Sequence, residues 1–195
     1  MAHNDEVLDN TVSEAELIER SQAGDQAAFG ELVNRYHRLV LSVAYRLCND
    51  PHLAQDISQE TFIKAWQALP RFVPRGDQDT GFRAWLCRIA VNTAIDEMRR
   101  QRPVEELGPT QAAPQIGPME AVVQRADSEA IRAAIARLPE RSRAALILRE
   151  FEGLSYQEIA EALDVPIGTV MSRLNYARRR LREELEYYFN QDKTE

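Results

Sequence analysis

Leu154-Ser155-Tyr156-Gln157-Glu158-Ile159-Ala160-Glu161-Ala162-Leu163, followed by Asp164-Val165-Pro166-Ile167-Gly168-Thr169-Val170-Met171-Ser172-Arg173, spells a helix, a tight turn and a second helix. Ser155 and Glu158 form an S-x-x-E capping box, which satisfies amides left unpaired at a helix start. Ile159, Ala160 and Leu163 give this helix an inward stripe. Pro166 is excluded from a helix interior but suits a first turn, so a new helix begins beside it. There Val170, Leu174, Ala177 and Leu181 recur at the 3.6-residue period and face inward. The opposite face carries Thr169, Ser172, Arg173, Tyr176 and Arg180, with Met171, Asn175, Arg178 and Arg179 at its flanks. From Arg173 to Arg182 there are five arginines and no acid, in a chain of net charge −7. A nucleic-acid backbone accounts for such a concentrated cationic face. The helix-turn-helix pattern predicts that these side chains meet bases and phosphates in a major groove. The alternative is an ordinary helical hairpin with a solvated basic face.

Working outward, the composition is that of a globular all-α chain. Hydrophobic residues make up 44% and charged residues 28% of the 195, with only eight glycines. No apolar run approaches the about 20 residues of a membrane span. The start of the chain, residues 1–13, is acidic and lacks the apolar core of a signal peptide. Cys48 and Cys87 stand apart with no C-x-x-C pairing and fall within apolar helical pattern, where a reduced buried thiol is the usual state. A cytoplasmic location without membrane insertion is the expectation. His3, His37 and His52 show no metal-ligand spacing, and neither a phosphate-cradling glycine loop nor a nucleophile elbow is present. No enzyme activity, metal or cofactor is therefore expected.

Ser13-Glu14-Ala15-Glu16 is a second capping-box start, ended by Gly24, and Asp25 caps the next helix. That helix carries Phe29, Leu32, Val33, Tyr36, Val40, Val43, Ala44 and Leu47 as a long stripe. A third helix runs from Pro51 to about Leu69, with Leu53, Ile57, Trp66, Leu69 and either Phe62 or Ile63 as core. A loop is expected from Pro70 to Thr80. A fourth helix then carries Phe82, Trp85, Leu86, Ile89, Thr93 and Met98 and ends in Arg99-Arg100-Gln101-Arg102. Pro103, Gly108, Pro109, Pro114 and Gly117 mark a flexible linker. Pro118 opens a helix to Leu138, and Pro139 opens another that Gly153 closes. The prediction is two small helical domains, 14–102 and 126–188, joined by a flexible linker over 103–125, with tails at 1–13 and 189–195.

Residues 14–102 hold twelve acids and twelve bases, and residues 126–195 thirteen acids and eleven bases. Neither domain is basic overall; the cations gather at Arg83 to Arg102 and Arg173 to Arg182. The remaining acidic surface repels phosphate, so binding to DNA alone should be weak and a partner should supply affinity.

Asp56-Ile57-Ser58-Gln59-Glu60-Thr61-Phe62-Ile63-Lys64-Ala65-Trp66 resembles the core-binding helix of bacterial sigma factors. Phe82-Arg83-Ala84-Trp85-Leu86-Cys87-Arg88-Ile89-Ala90-Val91-Asn92-Thr93-Ala94 resembles their promoter-melting helix. Leu138-Pro139-Glu140-Arg141, Glu152-Gly153-Leu154-Ser155 and Pro166-Ile167-Gly168-Thr169-Val170 resemble their DNA-reading C-terminal module. The set covers about residues 14–188 in the family's order, and the short two-module layout resembles the extracytoplasmic-function (ECF) subfamily. The resemblance implies a non-catalytic subunit that binds core RNA polymerase through its large-subunit clamp helices and flap. It also implies promoter DNA as ligand and an anti-sigma factor as regulator.

Asp56, Gln59, Glu60 and Ile63 lie on one helical stripe. Read alone, that stripe is a solvated face with Glu60 paired to Lys64; the resemblance makes it, with Phe62, the polymerase-docking surface. Phe62 itself suits either an interface anchor or the core. Arg88, Asn92, Asp96 and Arg99 share a polar face of the fourth helix, where cations and amides suit an unpaired strand. The resemblance assigns Trp85, Arg88, Asn92, Asp77 and Arg99 to the −10 element, although a tryptophan at this spacing, read alone, more often belongs to the core. The loop Arg75 to Gly81 corresponds to the family's base-capturing loop and is longer here. Thr169, Ser172, Arg173, Asn175, Tyr176, Arg178 and Arg179 are assigned to the −35 element. Val170-Met171-Ser172-Arg173 departs from the Val-Arg-Ser-Arg of envelope-stress relatives, and Asn175 can read adenine through a bidentate amide. Two other readings stand: a dimeric helix-turn-helix regulator that binds a palindrome without polymerase, and a helical scaffold whose basic helix meets an acidic protein.

Overall fold

A computed structural model of the chain describes residues 12–73, 78–101 and 130–191. Among the described residues every regular element is helical: α1 (Glu14–Gln22), α2 (Gln26–Cys48), α3 (Pro51–Ala68), a 3₁₀ turn (Leu69–Arg71), α4 (Gln78–Gln101), α5 (Glu140–Glu150), α6 (Tyr156–Leu163) and α7 (Ile167–Gln191). A helical stretch over 130–136 precedes α5. The expected tail 1–13 (all but its last two residues), the linker 103–125 and Asp77 lie outside the described residues, as does the end of the C-terminal tail.

The helix ends follow the local chemistry of the sequence. Ser13 Oγ accepts from the Glu16 amide, and Asp25 accepts from the Ala27 and Ala28 amides. Asp50 does the same for His52 and Leu53, with Pro51 opening α3. Asn49 ends α2 in the left-handed region at φ 56°, a conformation that asparagine tolerates. The Ala28 amide and the Arg20 guanidinium hold the Asp25 carboxyl below its usual value. The stability it contributes is thus present above the unfolded carboxylate pKa and lost as pH falls through the lowered folded value. Thermal midpoints of the wild type and Asp25→Ala should accordingly differ at neutral pH and draw together in acid.

α2, α3 and α4 pack against one another, with α1 laid across α2. Leu32, Val40, Val43, Leu47, Ile57, Leu69, Phe82 and Leu86 are all buried within this packing. Phe62 is buried and Ile63 is 52% exposed, which settles which of them belongs to the core. An aromatic cluster closes one end: Phe82 lies 5.3 Å from Tyr36, 5.7 Å from Phe72 and 5.5 Å from Trp85, ring centre to ring centre. Gln22 Nε2 donates to the Leu69 and Phe72 carbonyls, pinning the 3₁₀ turn to α1. The expected loop from Pro70 to Thr80 is therefore shorter than the sequence suggested. Its start is a 3₁₀ turn held from α1, and helix resumes at Gln78, with Gly81 inside it.

The C-terminal helices pack α7 on α5 and α6, with Leu146, Ile147, Leu148, Ile159, Val170, Leu174 and Ala177 buried. These helices do not stand apart from the first module. α6 packs directly on α4, α5 reaches α2, and one apolar core runs through both sets. Cys87 sits in that core, and burial pushes its thiol up to about 12. Such a thiol is inert at physiological pH.

Candidate nucleic-acid interface

Ser155 Oγ accepts from the Glu158 amide and Glu158 returns the bond to the Ser155 amide, so α6 begins where the capping box places it. Asp164 ends α6 in the left-handed region at φ 52°, and the Thr169 amide bonds back to the Pro166 carbonyl at 2.8 Å. This turn sets α7 across α6 with Val170, Leu174 and Ala177 inward. The opposite side of α7 faces solvent. Ser172, Asn175, Tyr176, Arg178 and Arg179 are exposed, and Thr169 and Arg173 are half-buried. Met171 and Ile167 are 45% and 41% exposed on the same helix. On a helix laid in a major groove such exposed apolar atoms would meet a thymine methyl, a contact that the sequence reading did not give them.

The arginines of α7 are not equally free. Arg178 is held by Glu150 at 2.7 Å, which raises its pKa further. Arg180 pairs with Glu183 at 2.9 Å, while Arg179 reaches Glu183 only at 3.9 Å and lies over the Tyr176 ring. Arg173 differs from all of these. Its Nη1 is buried without an acceptor among the described residues, and burial followed by the nearby Arg141 lowers its pKa. A guanidinium next to a second cation, lacking an acceptor, is prepared for an anion. Arg141, in the first turn of α5, stands in the Leu138-Pro139-Glu140-Arg141 motif, but its place beside Arg173 was hidden because the two lie far apart in the chain.

On α3, Asp56, Gln59 and Ile63 are exposed, and Glu60 pairs with Lys64 at 3.5 Å. Behind them lies a groove of about 510 Å³ lined by Val33, His37, Gln55, Ser58, Gln59, Phe62 and Ile63. Both readings of this stripe have a counterpart: the i,i+4 pair exists, and an exposed Ile63 borders a groove floored by Phe62.

On α4, Asn92 and Asp96 are exposed, but the neighbouring arginines are engaged. Arg88 Nη2 pairs with Asp164 at 3.0 Å, and Arg99 Nη2 with Glu140 at 3.1 Å. Both partners belong to the helix-turn-helix module. Trp85 is half-buried against Phe72 at 4.7 Å, at the rim of the aromatic cluster.

Family models for sigma-70 region 2 and sigma-70 region 4 match residues 32–104 and 128–181. The chain is 40% identical to the RNA polymerase sigma-H factor of Pseudomonas aeruginosa, over 88% of this chain and 93% of that one. It is 33% identical to the ECF sigma factor SigW of Bacillus subtilis, with 86% and 94% covered. Among solved structures it resembles CnrH in complex with the cytosolic domain of CnrY (TM-score 0.66, 28% identity, 88% of this chain and 96% of that one). It also resembles the sigma factor RpoE of Bartonella quintana in complex with the anti-sigma factor NepR (TM-score 0.62, 26% identity, 81% and 96% covered). No helix among the described residues is long and apolar enough to cross a membrane. With both modules matched in order, the scaffold and dimeric-regulator readings fall away: the chain belongs to the extracytoplasmic-function group of the sigma-70 family of RNA polymerase sigma factors.

Proposed function

We propose that this subunit directs core RNA polymerase to promoters by dividing the work among three surfaces. The α3 stripe of Asp56, Gln59, Glu60 and Ile63, with Phe62 beneath, docks on the polymerase large subunit. The outer face of α7 reads the −35 element. The α4 face, with Arg88, Asn92 and Arg99, binds the strand that becomes unpaired at the −10 element, Trp85 contributing from the edge. The observation that carries the DNA-reading part is the outer face of a capped helix-turn-helix, on which Arg173 is half-buried with its Nη1 lacking an acceptor among the described residues. The subunit supplies binding energy, not bond chemistry: holding the unpaired strand offsets the few kcal/mol that unstacking costs per step. Its place of work is the cytoplasm, and an anti-sigma factor holds it inactive, as NepR is bound in the complex of the related RpoE.

The test is transcription by purified core polymerase on genomic DNA with and without the protein, mapping start sites. Discrete new starts that share an upstream pair of elements are expected. Arg173→Ala should weaken binding of the holoenzyme to those promoters by roughly 1–3 kcal/mol. New starts that Arg173→Ala leaves equally strong would remove α7 from the reading of the −35 element.

A further inference from the structure

Glu150 stands at a position that helix electrostatics disfavours. It is the last residue of α5, where a carboxylate meets the negative end of the helix dipole. Its partner comes from another helix: Arg178 of α7 donates to Glu150 Oε1 from Nε at 3.2 Å and from Nη2 at 2.7 Å. Arg178 has no acid within four residues on either side in its own helix, whereas Arg179 and Arg180 both reach Glu183 along α7. The Tyr156 hydroxyl, at the start of α6, lies beside the same guanidinium, and Arg149 covers the Tyr156 ring at 5.1 Å. Three helices thus meet at Arg178.

Stability does not account for this pair. The Glu150 and Arg178 side chains are 46% and 42% exposed, and ion pairs in solvent contribute little to folding. Met171, Asn175 and Arg178 recur at i, i+4 and i+7, so Arg178 ends an exposed row on the outer side of α7. An untethered arginine there would reach phosphates in many registers, because its long side chain adapts, and such contacts carry no sequence information. Two donors fixed on one carboxylate oxygen take that freedom away and offset the charge. The guanidinium then meets a phosphate only in the register that the neighbouring base-reading side chains set.

We infer that Glu150 is a positioning residue for sequence selectivity: it tethers Arg178 at one place on α7 and so denies that helix an adaptable cation for DNA of the wrong sequence. This role rests on the reading of α7 as the −35 helix. It differs in sign from that of a purely architectural pair. Loss of an architectural contact lowers every affinity that depends on the module, whereas loss of the tether raises one of them.

The test compares holoenzymes made with core polymerase on two duplexes, a mapped promoter and the same DNA with its −35 element scrambled. Glu150→Gln keeps the size of the side chain and drops its charge, and circular dichroism confirms the fold. Its affinity for the scrambled duplex should rise roughly two- to fivefold, with a salt dependence steeper by about one cation. Promoter affinity should rise less, so the ratio of promoter to scrambled binding falls. In an Arg178→Gln background the same Glu150→Gln change should leave that ratio where it was, because no guanidinium remains to be released. No gain on the scrambled duplex, equal gains on both duplexes, or a gain that persists without Arg178 would each overturn the role of Glu150. A wild-type holoenzyme that binds the two duplexes alike would instead strike the reading of α7, and the tether's role with it.

Discussion

Asp56→Arg combined with Glu60→Arg is expected to abolish co-elution of the protein with core RNA polymerase while leaving its fold intact. Both side chains lie on the outer face of α3, and nothing in the core depends on either. Glu60 loses only its pair with Lys64 at 3.5 Å, between groups 44% and 37% exposed. An i,i+4 surface pair of this kind contributes about 0.3–0.5 kcal/mol, so the melting curve should barely move. The interface should respond far more strongly. A carboxylate-amide patch suits a basic partner helix, and reversing two charges sets like against like, which costs several kcal/mol. Each 1.4 kcal/mol is tenfold in affinity, so at least a hundredfold loss is expected. Ile63→Ala should act less, removing an exposed apolar contact at the border of the groove. Fluorescence anisotropy of the labelled subunit titrated with core polymerase measures both. Unchanged association of the double variant would remove α3 from the docking surface.

Much of the fold was legible because its signals are local. Ser13, Asp25, Asp50 and Ser155 mark helix starts by side-chain bonds that reach only two or three residues along the chain. The inward stripe of α7 follows from periodicity alone. What escaped the sequence reading involves pairs distant in the chain. The row Ala84, Cys87, Val91, Ile95 recurs at helical spacing beside the stripe of Phe82, Leu86, Ile89 and Thr93. α4 thus has a second apolar side, and an apolar side predicts a neighbour. That signal was present, but a helix with two buried sides reads as one broad stripe until its partner is known. The same distance hid Asp164 and Glu140 as partners for Arg88 and Arg99, and Arg141 as a neighbour for Arg173. Of the residues assigned to the −10 element, Arg88 and Arg99 are engaged by the other module and Trp85 leans on the aromatic cluster, while Asn92 faces solvent freely. The residues assigned to the −35 element stand largely together on one face, with Arg178 drawn toward Glu150.

Phe82→Ala should be the most destabilising single substitution in the first module, because Phe82 joins helices on which the proposed −10 surface depends. Its side chain is 1% exposed and meets Tyr36 of α2, Phe72 beyond the 3₁₀ turn and Trp85 one turn along α4. Truncation leaves a void that those rings cannot fill without rotating, so a loss of about 3–5 kcal/mol is expected. At a few degrees per kcal/mol for a chain of this length, the thermal midpoint should fall by roughly 6–20 °C. Phe82→Leu keeps most of the volume and should cost less than about 1.5 kcal/mol. Urea denaturation followed by far-ultraviolet circular dichroism separates the two, and a loss under about 1 kcal/mol for the alanine variant would contradict the packing. The consequence reaches function through Trp85. Its position depends on Phe72 and Phe82 from two sides, so a void at Phe82 frees it to turn before the helix itself unfolds. Below the melting temperature, Phe82→Ala should therefore weaken binding of a forked −10 probe by the holoenzyme while leaving −35 duplex binding unchanged, since α7 packs chiefly on α5 and α6.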